Sequence, residues 1–133
     1  LKKVGKILNN KIKNKKVCFL GVTFKANTDD MRDSSSLEMI PHLSKHGAKI
    51  TYHDPTGFKK EFKKIKNVSF SNSINEAVKD ADLVILHTEW NDFKSINFKK
   101  LSPSKKLKIY DLRNILSPNK IESQGFKYFA IGR

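Results

Sequence analysis

Val17-Cys18-Phe19-Leu20-Gly21-Val22-Thr23-Phe24-Lys25-Ala26-Asn27-Thr28-Asp29-Asp30-Met31-Arg32-Asp33-Ser34-Ser35-Ser36 decides how the rest of this 133-residue chain is read. It opens as an apolar run, Val17 to Val22, short and rich enough in β-branched and aromatic residues for a buried strand. A polar loop follows, carrying Lys25, Asp29, Asp30, Arg32 and Asp33. Ser34 to Ser36 then signals a helix start, with Glu38 three residues beyond Ser35 in capping-box register. A strand that hands a charged loop to a helix N-terminus is where open α/β proteins place ligands.

The pattern repeats downstream. Leu37, Ile40 and Leu43 mark one face of a helix over Ser36 to Lys45, with Pro41 making it irregular and Gly47 ending it. Ala48 to Tyr52 reads as the second strand, stopped by His53-Asp54-Pro55. Phe58 to Ile65 has the spacing of a lysine-rich amphipathic helix, and Val68 to Phe70 of a short third strand. Ser73 and Glu76 form a second capping box, opening a helix to Ala81. Leu83 to Leu86 is fully apolar and reads as a central strand. Phe93 to Leu101 is ambiguous, Leu107 to Tyr110 is the fifth strand and Phe126 to Ile131 the sixth.

Strands alternating with helices at short connections give an α/β fold, a doubly wound, Rossmann-like and mostly parallel sheet of about six strands. Its order is 3-2-1-4-5-6. Before it, Val4, Ile7 and Leu8 have helical spacing, and the lysine-rich residues 11–16 read as a linker. A solvated leader is the other reading of this segment, and a first residue other than Met suggests sequence upstream.

That order places the switch point between strands one and four. The loops Thr23 to Asp33, His87 to Asn91 and Asp111 to Asn114 therefore share one crevice. Lys25, Arg32 and Arg113 gather there beside Glu89 and Trp90, an arrangement suited to an anion such as a phosphate. The plainer alternative is that Arg32 and Arg113 only pair with loop carboxylates. No G-x-G-x-x-G follows strand one, so the chain is not a self-sufficient dinucleotide binder.

Composition narrows the partners. A net charge of +14 invites a nucleic-acid reading, but of 27 basic residues only Arg32, Arg113 and Arg133 are arginine. Base and phosphate readers lean on the arginine fork, so scattered lysines read as a solvated surface. A basic nucleic-acid module is kept as the rival class. Cys18, the single cysteine, reads as a small core hydrophobe and fits a reducing cytoplasm. The four histidines show no metal-ligand spacing and read as ordinary surface or loop residues. No apolar run approaches the ~20 residues of a membrane helix.

The segment from Gly21 to Ser34 resembles the G-x-x-F-K-x-x-T-D-D-x-R-x-S stretch of the UDP-glucose/GDP-mannose dehydrogenase family. Tyr52-His53-Asp54-Pro55, Thr88-Glu89-Trp90 and Asp111-Leu112-Arg113-Asn114 follow in the family's order, with Leu112 in place of its glycine. The Thr-Glu-Trp and Asn-Thr-Asp-Asp variants look most like the UDP-glucose members. UDP-N-acetylmannosamine and GDP-mannose members are the alternatives.

The resemblance implies a C-terminal UDP-binding domain over residues 16–133, preceded by the end of a linker helix and a linker over 1–15. Phe24, Lys25 and Arg113 match substrate-binding positions, and Arg32 a position that reaches toward the cofactor, NAD. It also implies a UDP-sugar substrate, N-terminal and central domains of the same enzyme as partners, and a homodimer or larger assembly. The catalytic cysteine and the NAD loop belong to the N-terminal part. The chain by itself is therefore expected to be inactive, with no catalytic residue of its own.

Overall fold

The computed structural model describes residues 2–103 and 106–131. The expectations that involve Leu1 and Arg133 lie outside them.

Six strands form one sheet in the order β3-β2-β1-β4-β5-β6: β1 Lys16–Leu20, β2 Lys49–His53, β3 Val68–Phe70, β4 Leu83–Leu86, β5 Lys108–Asp111 and β6 Lys127–Ala130. Every neighbouring pair is parallel. Among the described residues five helices accompany them: α1 Lys2–Ile7, α2 Ser36–Lys45, α3 Ile74–Val78, α4 Phe98–Leu101 and α5 Pro118–Ser123. Leu20 is in register with both His53 and Leu86, and Leu86 with Asp111. The carboxyl ends of β1, β2, β4 and β5 therefore lie in one row, and the loops leaving them meet.

Alternation along β1 divides the core. Val17 and Phe19 face one layer with Ile50, Tyr52, Leu83 and Ile85, closed by Val4 and Ile7 of α1 and Ile40 and Leu43 of α2. Cys18 and Leu20 face the other with Val84, Leu86 and Ile109, closed by α3, Phe98 and Ile121. A strand buried on both faces must be apolar at every position, which is why β4 reads Leu-Val-Ile-Leu.

The second face decides the chemistry of Cys18. Its thiol is fully buried, and burial pushes its pKa up to about 12. The thiolate that reacts with electrophiles is thus scarce at neutral pH. Alkylation by iodoacetamide at pH 8 is expected to be slow in the folded protein and fast after denaturation, read by mass spectrometry. Rapid labelling of the native chain would contradict the packing.

Three local expectations change. Ser35 does not cap α2: its backbone is helical and its side chain makes no cap bond. The hydroxyls of Ser34 and Ser36 turn back instead to the Val22 carbonyl, each at 2.6 Å. Phe58 to Ile65 is not a helix but a 3-10 turn over Lys60–Phe62. Lys59 is extended, its N–H donating to the Tyr52 hydroxyl at 2.9 Å, and the turn begins only at Lys60. Helix α2 passes through Pro41 without a break, and Gly47 ends it at φ +91° with Ala48 N–H reaching back to the Leu43 carbonyl.

The Ser73 cap holds, its hydroxyl accepting from the Glu76 N–H at 3.1 Å, although α3 stops at Val78. The ambiguous stretch resolves into a 3-10 turn, Asn91–Phe93, and the short α4. Helix α5 was not anticipated, although Ser117 followed by Pro118 at the first helical position is a legible start signal.

Candidate functional site

Strand β1 ends at Leu20, and Gly21 turns the chain at φ +79°. A Cβ on Gly21 would lie 2.6 Å from the Thr88 Cβ, so only glycine lets the two loops close. Gly21 N–H donates to the His53 carbonyl at 2.8 Å, and Val22 N–H to the Asp54 carboxylate at 2.9 Å. Asp54 is buried and also accepts from the Thr56 N–H and hydroxyl. The loop then doubles back, with Phe24 N–H on the Asp30 carbonyl at 3.0 Å, and presents Phe24 and Lys25 exposed.

On the other side of the crevice, Asp111 ends β5 fully buried. Its carboxylate accepts from Arg113 N–H (3.1 Å), Leu116 N–H (2.9 Å) and the Tyr128 hydroxyl (2.8 Å). That pins the turn from which Arg113 projects. The left-handed residue of this turn is Asn114, at φ +56°, so Leu112 fits without strain. Among the described residues, no carboxylate pairs with the Arg113 guanidinium. Nε donates to the His87 carbonyl at 3.0 Å and Nη2 to the Phe24 carbonyl at 3.1 Å. Arg113 thus ties the loops after β1, β4 and β5 together, its guanidinium meeting the carbonyl of Phe24.

Arg32 pairs with one of the loop carboxylates. Its Nε and Nη2 each lie 3.0 Å from the Asp30 carboxylate, in a fork-to-fork ion pair, and the side chain is 89% exposed. The Arg32 hydrogen bonds, aided by the Lys25 charge, hold the Asp30 carboxyl down at about 2. Trp90 does not line the crevice but is buried with Leu86, Phe93 and Leu116. Its indole N–H lacks a partner among the described residues. Glu89 is exposed.

His87 corrects the reading of the histidines as ordinary surface or loop residues. It is 1% exposed and sits where the three loops meet. The Thr88 hydroxyl donates to the Thr23 carbonyl at 3.0 Å. The His87 Nδ1, 3.0 Å from that hydroxyl, must therefore carry the hydrogen. Nε2 is then the acceptor for the Ser35 hydroxyl at 2.8 Å. A histidine placed directly after a fully apolar strand was the signal available in the sequence. His53 is engaged as well, its Nδ1 lying 2.9 Å from the Ser71 carbonyl; His42 is exposed on α2, and His46, exposed just past its end, has Nδ1 2.9 Å from the His42 carbonyl.

Burial, reinforced by the Arg113 charge and opposed by Asp54, lowers the His87 pKa from 6.5 to about 4. The unfolded chain takes up this proton near 6.5 and the folded one only near 4. Stability from this residue is thus complete above 6.5, falls as pH drops toward 4, and levels off below. The loss is about 3 kcal/mol, at ~1.4 kcal/mol per pH unit. Urea unfolding across this range is expected to show that loss, and His87→Gln to flatten it. An unchanged slope in the variant would assign the acid sensitivity elsewhere.

Comparison with known proteins follows these lines. Residues 18–118 match the description "UDP-glucose/GDP-mannose dehydrogenase family, UDP binding domain". The chain is 38% identical over 123 residues to a UDP-glucose 6-dehydrogenase of Rhizobium meliloti, the match covering 92% of this chain and 28% of that protein. It is 35% identical over 133 residues to that of Rickettsia bellii, covering 98% of this chain and 31% of the relative. A solved structure titled as an NDP-N-acetyl-D-galactosaminuronic acid dehydrogenase, from Methanosarcina mazei Go1, superposes with a TM-score of 0.81 at 28% identity. That match covers 98% of this chain and 27% of the other. The chain thus spans roughly three tenths of the length of the curated relatives it matches. The parallel sheet, the crevice at its switch point and the matched segment agree: the chain belongs to the UDP-glucose/GDP-mannose dehydrogenase family, in its UDP binding domain.

Proposed function

We propose that this chain is the nucleotide-sugar half of an NAD-dependent UDP-glucose dehydrogenase, an enzyme that oxidises UDP-glucose twice to UDP-glucuronate. The observation that carries the reading is Arg113, fixed at the carboxyl edge by the Phe24 and His87 carbonyls. Those bonds use Nε and one Nη2 hydrogen. Nη1 is left without a protein acceptor among the described residues, so it can serve a diphosphate oxygen. Lys25, exposed on the same loop as Phe24, adds a second positive charge. Both residues offset the diphosphate charge and hold the sugar in place, a contribution of proximity and not of bond making.

The residues present do not fit the diphosphate of NAD. The N–H groups of Gly21 and Val22, which would face it after β1, are already donated to His53 and Asp54. The cofactor and the nucleophilic thiol therefore belong to the companion domains, and Cys18 is buried away from any such task. Arg32, held by Asp30 yet mostly exposed, is assigned to the cofactor side of the closed enzyme. Residues 1–15 are read as the end of a preceding helix and its linker, the whole enzyme as a cytoplasmic homodimer or larger assembly.

Titrating UDP-glucose and single-stranded DNA at two salt concentrations tests this reading. UDP-glucose is expected to bind and DNA to bind weakly. A chain that ignored UDP-glucose while losing DNA affinity steeply with salt would be a polyanion binder instead.

A further inference from the structure

The residue on which the crevice loops converge is one that the substrate-binding positions leave out. The His87 carbonyl takes the Arg113 Nε at 3.0 Å. Its Nδ1–H reaches the Thr88 hydroxyl, which continues to the carbonyl of Thr23, next to Phe24. Its Nε2 takes the hydroxyl of Ser35, at the start of α2. The loop after β1 and the start of α2 are thus referenced to one buried ring, and the turn after β5 to the main-chain carbonyl of the same residue.

We propose that His87 is a positioning residue of the nucleotide-sugar site, holding Arg113 and the Phe24-Lys25 loop in register through its carbonyl and both ring nitrogens. This rests on the reading of Arg113 as the diphosphate-binding residue. The arrangement works with a neutral ring. An added proton on Nε2 would confront the Ser35 hydroxyl, which must then rotate and surrender its own donation. The new cation would also lie beside Arg113 and push the guanidinium off the His87 and Phe24 carbonyls. Two charged groups act on the ring: Arg113 from the turn after β5 opposes its protonation, and Asp54 from the end of β2 favours it. The Phe19 ring of β1, 6.2 Å away, carries no charge.

The test uses the full-length enzyme and UDP-glucose, whose esterified diphosphate holds a constant charge between pH 8 and pH 4.5. Isothermal titration gives the affinity, and circular dichroism at each pH confirms that the protein is folded. At pH 7.5, His87→Ala keeps the carbonyl but loses both neutral ring hydrogen bonds, and is expected to weaken binding about tenfold as the two loops lose their register. His87→Gln can accept from Ser35 and donate to Thr88, so it is expected to bind within about twofold of the unaltered enzyme. The unaltered enzyme is expected to lose affinity below about pH 5 as the ring charges, and the glutamine variant to keep it. Binding by His87→Ala equal to that of the unaltered enzyme would overturn the inference alone, as would an unchanged acid loss in His87→Gln. Absence of UDP-glucose binding by the unaltered enzyme would overturn the proposed function, and the inference with it.

Discussion

Gly21→Ala is expected to destabilise the domain by about 2–5 kcal/mol, combining ~1–2 kcal/mol for an L-residue in the left-handed region with ~1–3 kcal/mol of overpacking. The new methyl would meet Thr88 at 2.6 Å from its Cβ, 2.8 Å from its Oγ1 and 3.1 Å from its backbone nitrogen. Thr88 cannot step aside cheaply, because its hydroxyl bridges His87 and Thr23. Against a total stability of ~5–15 kcal/mol, such a loss lowers the melting temperature by roughly ten degrees or more. Gly57→Ala separates the two contributions. Gly57 also has positive φ, +92°, but nothing lies within 4 Å of the added methyl, so only the backbone cost of ~1–2 kcal/mol remains. Equal melting temperatures for the two variants would show that the Thr88 contact is relieved without cost.

The largest effect on binding is expected at Arg113. Replacement by alanine removes a charge-assisted contact worth ~1.5–3 kcal/mol, a ten- to hundredfold loss in UDP-sugar affinity in the full-length enzyme. Arg113→Lys is expected to recover little. One ammonium cannot span the His87 and Phe24 carbonyls, at 3.0 and 3.1 Å from two different nitrogens, and still address an anion. The melting temperature should move little, because Arg113 is exposed and Asp111 keeps the turn through Leu116 and Tyr128. Lys63→Ala, at an exposed lysine just after the Lys60–Phe62 turn, is the neutral control. If Arg113→Ala melted the domain while leaving KM and kcat unchanged, the clamp on the two carbonyls would be its whole role.

The sheet order was legible because each strand carries its own local signal and parallel connections leave few topologies open. The crevice followed from that order, since strand ends in register bring their loops together whatever the loops contain. Tertiary hydrogen bonds explain most of what the sequence concealed. Phe58 to Ile65 has helical spacing, yet Lys59 is extended with its N–H on the Tyr52 hydroxyl, and no periodicity reports a partner seven residues away. Ser35 has the register of a cap, but its hydroxyl is claimed by His87, 52 residues on. Arg113 and Arg32 looked alike as cations in acidic loops. The difference between clamping carbonyls and pairing with Asp30 lies in backbone geometry that residue types do not encode.

Helix α1 has a mechanical consequence. Val4 is fully buried, Lys3 Nζ reaches the Ala130 carbonyl of β6 at 2.7 Å, and Lys108 Nζ of β5 reaches the Ile7 carbonyl at 2.7 Å. Helix α1 is therefore bonded to the β5–β6 side of the sheet, and a displacement of the helix acts on that side first. The loop carrying Arg113 leaves β5, the strand whose Lys108 is bonded to the helix.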